Sequence, residues 1–402
     1  VKGSMLLQGL LLAALAAPAS WSAPEQAEVL FDGTGFAKWN NPGGWKRVGE
    51  AMEVHVPEDK EKRKPLTTKD PFADCQFHVE WRPPQDPPDV RGQKRGNSGV
   101  FLPGGYEIQV LNSYENQTYP DGQAGAIYGQ YAPQVNACLP QDRWQAYDIL
   151  FDAPAFDADG AVARPARITA LHNGIVIHHD AVLYGKIRVR KEGEKKIKFV
   201  EYRPHPREGR ILLQNHNNPV RFRDIWVIGH EPDTNAAMTA IDLRRMRAAP
   251  ERREYAINSP RQPAPPVVTP PKDGAPPSDA RAAPGEGWRR LPAKNKGTAA
   301  FTTTGDYRRF QLHAEWEGGE PLRLEFADRI VEISADDDGV QRIDLVFESR
   351  ELGDDRWETA TLLKNGVFEQ KRVRVDRNHE TPVVAMFPAG DTMRRLWIRG
   401  LK

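Results

Sequence analysis

The sequence predicts an all-β chain: a two-sheet sandwich or jelly roll, then a proline-rich linker, then a second, trimmed sandwich that repeats the first. Three observations predict it. Short alternating or apolar runs recur between Gly, Pro, Asn and Asp breaks, the pattern of antiparallel sheets rather than of strand–helix–strand units. Nine of the 28 residues from Ser259 to Glu286 are proline, with almost no large apolar side chain among them, which makes a stiff, extended connector. The run Gln76-Phe77-His78-Val79-Glu80-Trp81 returns as Gln311-Leu312-His313-Ala314-Glu315-Trp316.

From the N-terminus, Leu6 to Ala17 is apolar but short for a bilayer span and leads into Ala17-Pro18-Ala19, a small-x-small cleavage pattern. Residues 1–23 are therefore expected to be a signal peptide, and the mature protein periplasmic or secreted, with no membrane attachment after cleavage. The first sandwich is expected over residues 24–230, with strands at Gln76 to Arg82, Ser98 to Leu102, Tyr106 to Leu111, Ala146 to Phe151, Arg167 to Ile177, Ile211 to Gln214 and Phe222 to Ile228. Asp233 to Arg247 reads as a short helix opening the connector of residues 231–286, and residues 287–402 form the repeat. Three further echoes support it: Arg143-Trp144 with Arg356-Trp357, Leu171-His172-Asn173-Gly174 with Leu363-Lys364-Asn365-Gly366, and Arg223-Asp224-Ile225-Trp226 with Arg394-Arg395-Leu396-Trp397.

A balance of 56 Lys and Arg against 55 Asp and Glu gives a net charge of +1, which removes the field that gathers nucleic acid. The mean hydropathy of −0.64 excludes a multi-span membrane protein. Cys75 and Cys138 are expected as two separate buried thiols.

A duplicated unit serves as its own control. Features in both copies are candidates for scaffold, and features in one are candidates for function. In the Gln76 to Arg82 strand, Phe77, Val79 and Trp81 face the core while His78, Glu80 and Arg82 face outward. His313 and Glu315 repeat the first two, so Glu80 is given a supporting role. Copy one alone has Asn97-Ser98-Gly99-Val100-Phe101-Leu102, then Gly105-Tyr106-Glu107-Ile108-Gln109-Val110-Leu111-Asn112. Glu107 and Gln109 share a strand face, where a carboxylate and an amide can hold sugar hydroxyls. Tyr128, flanked by Gly125 and Gly129, is an aromatic of the kind that lines carbohydrate clefts, and the Ser113 to Pro140 segment suits a binding loop. Gln214 and His216 stand where the second copy has Ala385 and Phe387, which makes His216 a candidate for proton transfer. Asp157-Ala158-Asp159-Gly160 reads as a turn rather than a calcium loop, and His178-His179 cannot chelate from one regular strand. The basic run Lys186 to Lys198 reads as a solvated hairpin.

These motifs, together with Leu30-Phe31-Asp32-Gly33, Trp39, Trp144, Tyr147, Asn173-Gly174 and Phe222-Arg223-Asp224-Ile225, resemble the 3-keto-disaccharide hydrolase family over about residues 28–229. The resemblance implies a concanavalin A-like jelly roll and a carbohydrate substrate. A ketone at C3 acidifies the proton on C2, so cleavage can run by elimination and hydration. In that scheme His216, or Glu107, is the base, Asn97 and Gln109 donate to oxygens, and Tyr128 packs on the ring. Glu80, Arg82, Asn112 and Gln214 complete the expected substrate contacts. Two positions depart from the family, whose usual Asp is here Asn112 and, before the motif histidine, Asn215. No cofactor is expected and no metal ligand set is assigned, though a divalent cation stays open. The alternatives are a carbohydrate-binding jelly roll without catalysis and a glucanase using Glu80 and Glu107, which requires carboxylates about 5–9.5 Å apart.

Overall fold

Alternation along each strand divides inward apolar residues from outward polar ones, and two sheets close over the inward set. The computed structural model describes residues 23–248, except 56, 60, 62, 193 and 194, and beyond them 254–256, 289–290, 299–302, 308–317, 321–326, 329–335, 340–376, 384–387 and 392–401. The signal-peptide and most linker expectations lie outside these residues.

The large sheet of the first sandwich orders Ile175–Val182, Arg167–His172, Gln145–Asp152, Cys75–Arg82, Arg221–Gly229, Ala51–Val54 and Trp45–Val48, with Glu28–Phe31 also paired to Arg221–Gly229. Opposite it, the small sheet orders Trp39–Asn40, Leu66–Thr68, Leu212–Leu213, Ser98–Leu102 and Tyr106–Val110. All pairings are antiparallel. Phe77, Val79, Trp81, Val100, Ile108, Tyr147, Leu213 and Phe222 fill the space between them, fully buried. Each such side chain stabilises the sandwich by ~1.5–3 kcal/mol. Cys75 and Cys138 are separate buried thiols.

The expected strand Arg167 to Ile177 is two strands. Asn173 (φ 53°) and Gly174 (φ 75°) form a two-residue hairpin turn that requires left-handed backbone at both positions. The apolar residues on either side mask this break. The helix runs Ala236–Arg247, and the Asn235 side chain caps it by accepting from the Ala237 and Met238 amides. Among the described residues, no helix is long and apolar enough to cross a membrane.

The second sandwich orders Val367–Arg374, Asp355–Lys364, Val340–Leu352, Arg309–Glu317, Thr392–Gly400 and Arg289–Arg290 in one sheet. Its other sheet orders Ala299–Thr302, Val384–Phe387, Leu322–Phe326 and Arg329–Ile333. Strand for strand, this is the order of the first sandwich without the strands at its margin. The pairing corrects one sequence match. Trp144 precedes the Gln145–Asp152 strand, whose counterpart is Val340–Leu352, whereas Trp357 lies on the next strand over. The true echo is Gln145-Ala146-Tyr147-Asp148 with Gln341-Arg342-Ile343-Asp344. His78 bonds Asp148 (2.7 Å) as His313 bonds Asp344 (3.0 Å), and Asn173 bonds Gln145 (2.8 Å) as Asn365 bonds Gln341 (3.1 Å).

The outer faces of the two large sheets pack on each other reciprocally. Gln76 donates to the Gly366 carbonyl and accepts from the Phe368 amide (2.9 Å). Gln311 donates to the Gly174 carbonyl (2.7 Å) and accepts from the Val176 amide (3.0 Å). Each glutamine thus reads the Asn-Gly turn of the other sandwich. Leu171, Val176, Val346 and Leu363 form the apolar part of the seam. Beside it, the helix brings Asp242 and Arg245 into a buried ion network with Arg167, Asp152, Asp180 and Arg372.

Candidate active site

The seam covers part of the outer face of the large sheet, and the outer face of the small sheet carries the Asn97–Gly99, Glu107–Gln109 and Gly125–Gly129 motifs. The register sets Gly99 opposite Gln109 and Phe101 opposite Glu107. Because Val100, Leu102, Ile108 and Val110 turn inward, Gly99, Phe101, Glu107 and Gln109 share the outward face. Glycine leaves room here: a Cβ on Gly99 would sit 2.7 Å from Glu107 Oε1 and 3.1 Å from the Phe101 ring, so the carboxylate would have to move aside. The Glu107 carboxylate therefore lies over Gly99.

The Ser113 to Pro140 segment folds against the free edge of this sheet. Backbone hydrogen bonds link Gln109 to Gly125 (2.8 Å) and Ala126 (2.9 Å), and the Tyr128 amide donates to the Glu107 carbonyl (3.0 Å). The bridge between Ile108 and Ile127 sets Tyr128 beside Glu107 on the outward face. Its hydroxyl is 2.7 Å from that of Tyr119. The Gln109 amide has two settings. One donates to Gln93 Oε1 (3.2 Å) and Asn97 Oδ1 (3.4 Å), and the other to Glu107 Oε1 (3.2 Å) and the Ser98 carbonyl (3.3 Å). We adopt the second, which gives the carboxylate a donor. Gln93 also donates to Thr118 Oγ1 (2.9 Å) and the Gly122 carbonyl (2.8 Å), tying the binding loop to the sheet. Sequence reasoning missed Gln93 because it sits in a single 3₁₀ turn, Gly92–Lys94, with no periodicity to mark it.

Gln214 continues the sheet: its amide donates to the Gly99 carbonyl (2.9 Å) and its carbonyl accepts from Ser98 Oγ (2.7 Å). His216 follows on an exposed turn, and its imidazole makes no hydrogen bond with another described residue. Asn215 anchors that turn by donating to the carbonyls of Gly44 (3.0 Å) and His55 (3.2 Å). An aspartate has no donor for these carbonyls, so the departure from the family pattern serves the turn. Asn112 is fully buried and donates toward Asp86 (3.4 Å) and Gln141 (3.2 Å). An aspartate there would set a carboxylate against that of Asp86, whose pKa burial already raises.

The structure thus brings together Glu107, Gln109, Asn97 and Tyr128, with Gln214 joined through strand pairing. His216 lies two residues beyond Gln214 at the rim of this face, whereas Asn112, Glu80 and Arg82 are not brought in. Asn112 lies behind a separate cavity of about 340 Å³ lined by Gln85, Asp86, Arg91, Arg95 and Gln141, with Pro87 and Pro88. Glu80 and Arg82 belong to the large sheet, on the far side of the core. Glu80 accepts from Arg223 (2.5 Å), Arg82 pairs with Asp142 (2.8 Å), and the Arg223 guanidinium stacks 4.1 Å over Trp144. Glu80 and Glu107 face outward from opposite sheets, and stacked sheets alone are ~10 Å apart. They cannot flank one glycosidic bond, which removes the glucanase pair. His178 and His179 point apart, one to the Gly125 carbonyl (2.7 Å) and the other to Thr361 (2.9 Å).

A jelly-roll sandwich whose small sheet carries a carboxylate, amides and tyrosines on one face belongs to the glycoside-acting, hydrolase-like class. The chain belongs to the 3-keto-alpha-glucoside-1,2-lyase-like domain family, which matches residues 26–228, half of its 402 residues. The second sandwich lies outside that match. Solved structures of three candidate glycosyl hydrolases from Parabacteroides distasonis are similar. The first is 36% identical, covering 52% of this chain and 85% of that one at a TM-score of 0.46. The second is 15% identical over 52% and 95% (TM-score 0.35), and the third 17% over 51% and 99% (TM-score 0.36). No curated protein matches the chain.

Proposed function

We propose that the protein is a secreted or periplasmic enzyme that cleaves 3-keto-glycosides by elimination and hydration. The observation that carries this is the Glu107 carboxylate lying over Gly99, with an amide and a tyrosine on the same face. Elimination does not need the carboxylate pair of ordinary glycosidases, and the topology rules out Glu80 as Glu107's partner. A base takes the C2 proton, the electron pair forms the enolate, and the enolate expels the C1 oxygen substituent, which leaves with a proton. Water then adds at C1 of the enone and a proton returns to C2.

His216 serves as the base. An imidazole can exchange protons near neutral pH, and that of His216 is exposed and not held by a hydrogen bond. Glu107 already accepts from Gln109, which holds the carboxylate in place to accept from sugar hydroxyls. Gln109 and Asn97 supply amides for the sugar and enolate oxygens, and Tyr128 packs on the ring. Purified protein given a 3-keto-glycoside and its unoxidised parent tests the reading. Release of aglycone from the keto-sugar alone supports it. Release from neither leaves a carbohydrate-binding sandwich, and release from the parent contradicts it.

A further inference from the structure

We propose that His78, Glu80 and Asp224 bind one divalent transition-metal ion, Zn²⁺ by the character of the donors, on the outer face of the large sheet and apart from the sugar-binding face. One ligand atom from each lies within 4.8 Å of the others. A zinc–ligand bond of ~2.0–2.2 Å brings donors to ~3–3.5 Å of each other, so closing the site takes about 1 Å of side-chain movement.

The imidazole is set up as a ligand. Nδ1 of His78 is 2.7 Å from Asp148 Oδ1 and donates to it, so in the neutral ring that a metal ion would bind the Nε2 lone pair is the free one, the arrangement in which a carboxylate orients a metal-binding histidine. Stacking on Trp226 at 4.9 Å fixes the ring plane. Nε2 is buried without a hydrogen-bond partner and faces Asp224 Oδ2, 3.8 Å away, which is also buried without one. Asp224 reaches this position through a bulge. The ladder skips between Arg223 and Trp226, and Asp224 adopts φ 46°, a left-handed conformation uncommon for a residue with a Cβ. Glu80 gives one oxygen to Arg223 and keeps the other for an ion.

The second sandwich shows what the same scaffold does without such a site. His313 bonds Asp344 through Nδ1 (3.0 Å), but its Nε2 is satisfied by Glu315 at 3.3 Å. The ladder there pairs His313–Trp397 and Glu315–Arg395 in register and shifts only beyond them, between Glu315 and Trp316, and an arginine stands where the sequence match calls for Asp224. Among the described residues, only the first sandwich has both the orphaned nitrogen and the second carboxylate. One imidazole and two carboxylates suit zinc, with a fourth position left for water.

Full-length protein stripped with a chelator and titrated with ZnCl₂ by calorimetry tests this. One Zn²⁺ per chain is expected, with a rise in Tm of about 2–6 °C at saturating metal. Asp224→Asn should weaken binding about 100-fold or more and lose the thermal shift, while Asp148→Asn should weaken it about 10–100-fold. Asp344→Asn, in the second sandwich, should leave binding unchanged. No stoichiometric binding, or binding that Asp224→Asn does not weaken, overturns the site.

Discussion

The two sandwiches share a strand order, a His–Asp pair and an Asn-Gly turn, yet their small sheets present different outward faces. In the first, Gly99 leaves a floor over which Glu107 lies. In the second, the outward residues of the Leu322–Phe326 strand are Arg323 and Glu325, which bond each other at 3.2 Å. Between Tyr106–Val110 and Gln145–Asp152 the first has residues 111–144, and the corresponding strands of the second are joined by residues 334–339. What the two retain is the sheet that packs across the seam, and where they part is the face that carries Glu107 and its binding loop.

The largest effect should separate the two faces by activity. His216→Ala should lower turnover of a 3-keto-glycoside by ~10²–10⁴-fold, whereas Glu325→Gln on the equivalent sheet of the second sandwich should leave it unchanged in the same assay. Wild-type turnover in His216→Ala removes it from the mechanism.

Acid stability should sharpen the comparison next. Burial pushes His172 down to about 3 and His178 down to about 4, and by strand register the equivalent positions of the second sandwich are Lys364 and Glu369. Both histidines are neutral in the folded chain but take up protons on unfolding, so their contribution is full above about pH 6.5 and shrinks as the pH falls toward 4. The loss should approach roughly 3 kcal/mol for His178 and roughly 5 kcal/mol for His172 at low pH. Thermal melts from pH 7 to 4.5 measure the slope, and His178→Gln, which keeps a donor for the Gly125 carbonyl, should flatten it.

Reciprocity at the seam predicts a smaller pair of matched effects. Gln76→Ala and Gln311→Ala each remove two hydrogen bonds across the seam and strand a buried carbonyl and amide, costing ~1–3 kcal/mol apiece in denaturant titrations, and Gln311→Ala also loses a bond to Asp344 (3.2 Å) within its own sheet. Clearly unequal costs would mean that the seam is less symmetric than its hydrogen bonds. The smallest effect is expected from Gly99→Ala. It should displace the Glu107 carboxylate and cut kcat/KM about tenfold, with little change in Tm.

Most of the framework was legible in the sequence because period-two alternation and turn residues act locally. Ser98–Leu102 was read to the residue, and the Phe77, Val79 and Trp81 face was assigned correctly. Alternation says which residues share a strand face, but not which sheet the strand joins. That is why Glu80 and Arg82 were grouped with Glu107, although the core lies between them. The Trp144 and Trp357 match failed for a related reason: a Trp beside an Arg is a short signal, and only hydrogen-bond register shows which strand carries it. Gln93, Gly99 as a floor and the donor role of Asn215 depend on tertiary neighbours, which no local pattern encodes.

The most direct test of the chemistry is to turn over a 3-keto-glycoside in deuterated water and examine C2 of the released keto-sugar. Elimination and hydration require deuterium at C2, acquired at a rate matching aglycone release and lost with it in His216→Ala. Aglycone release with the C2 hydrogen retained would contradict the account.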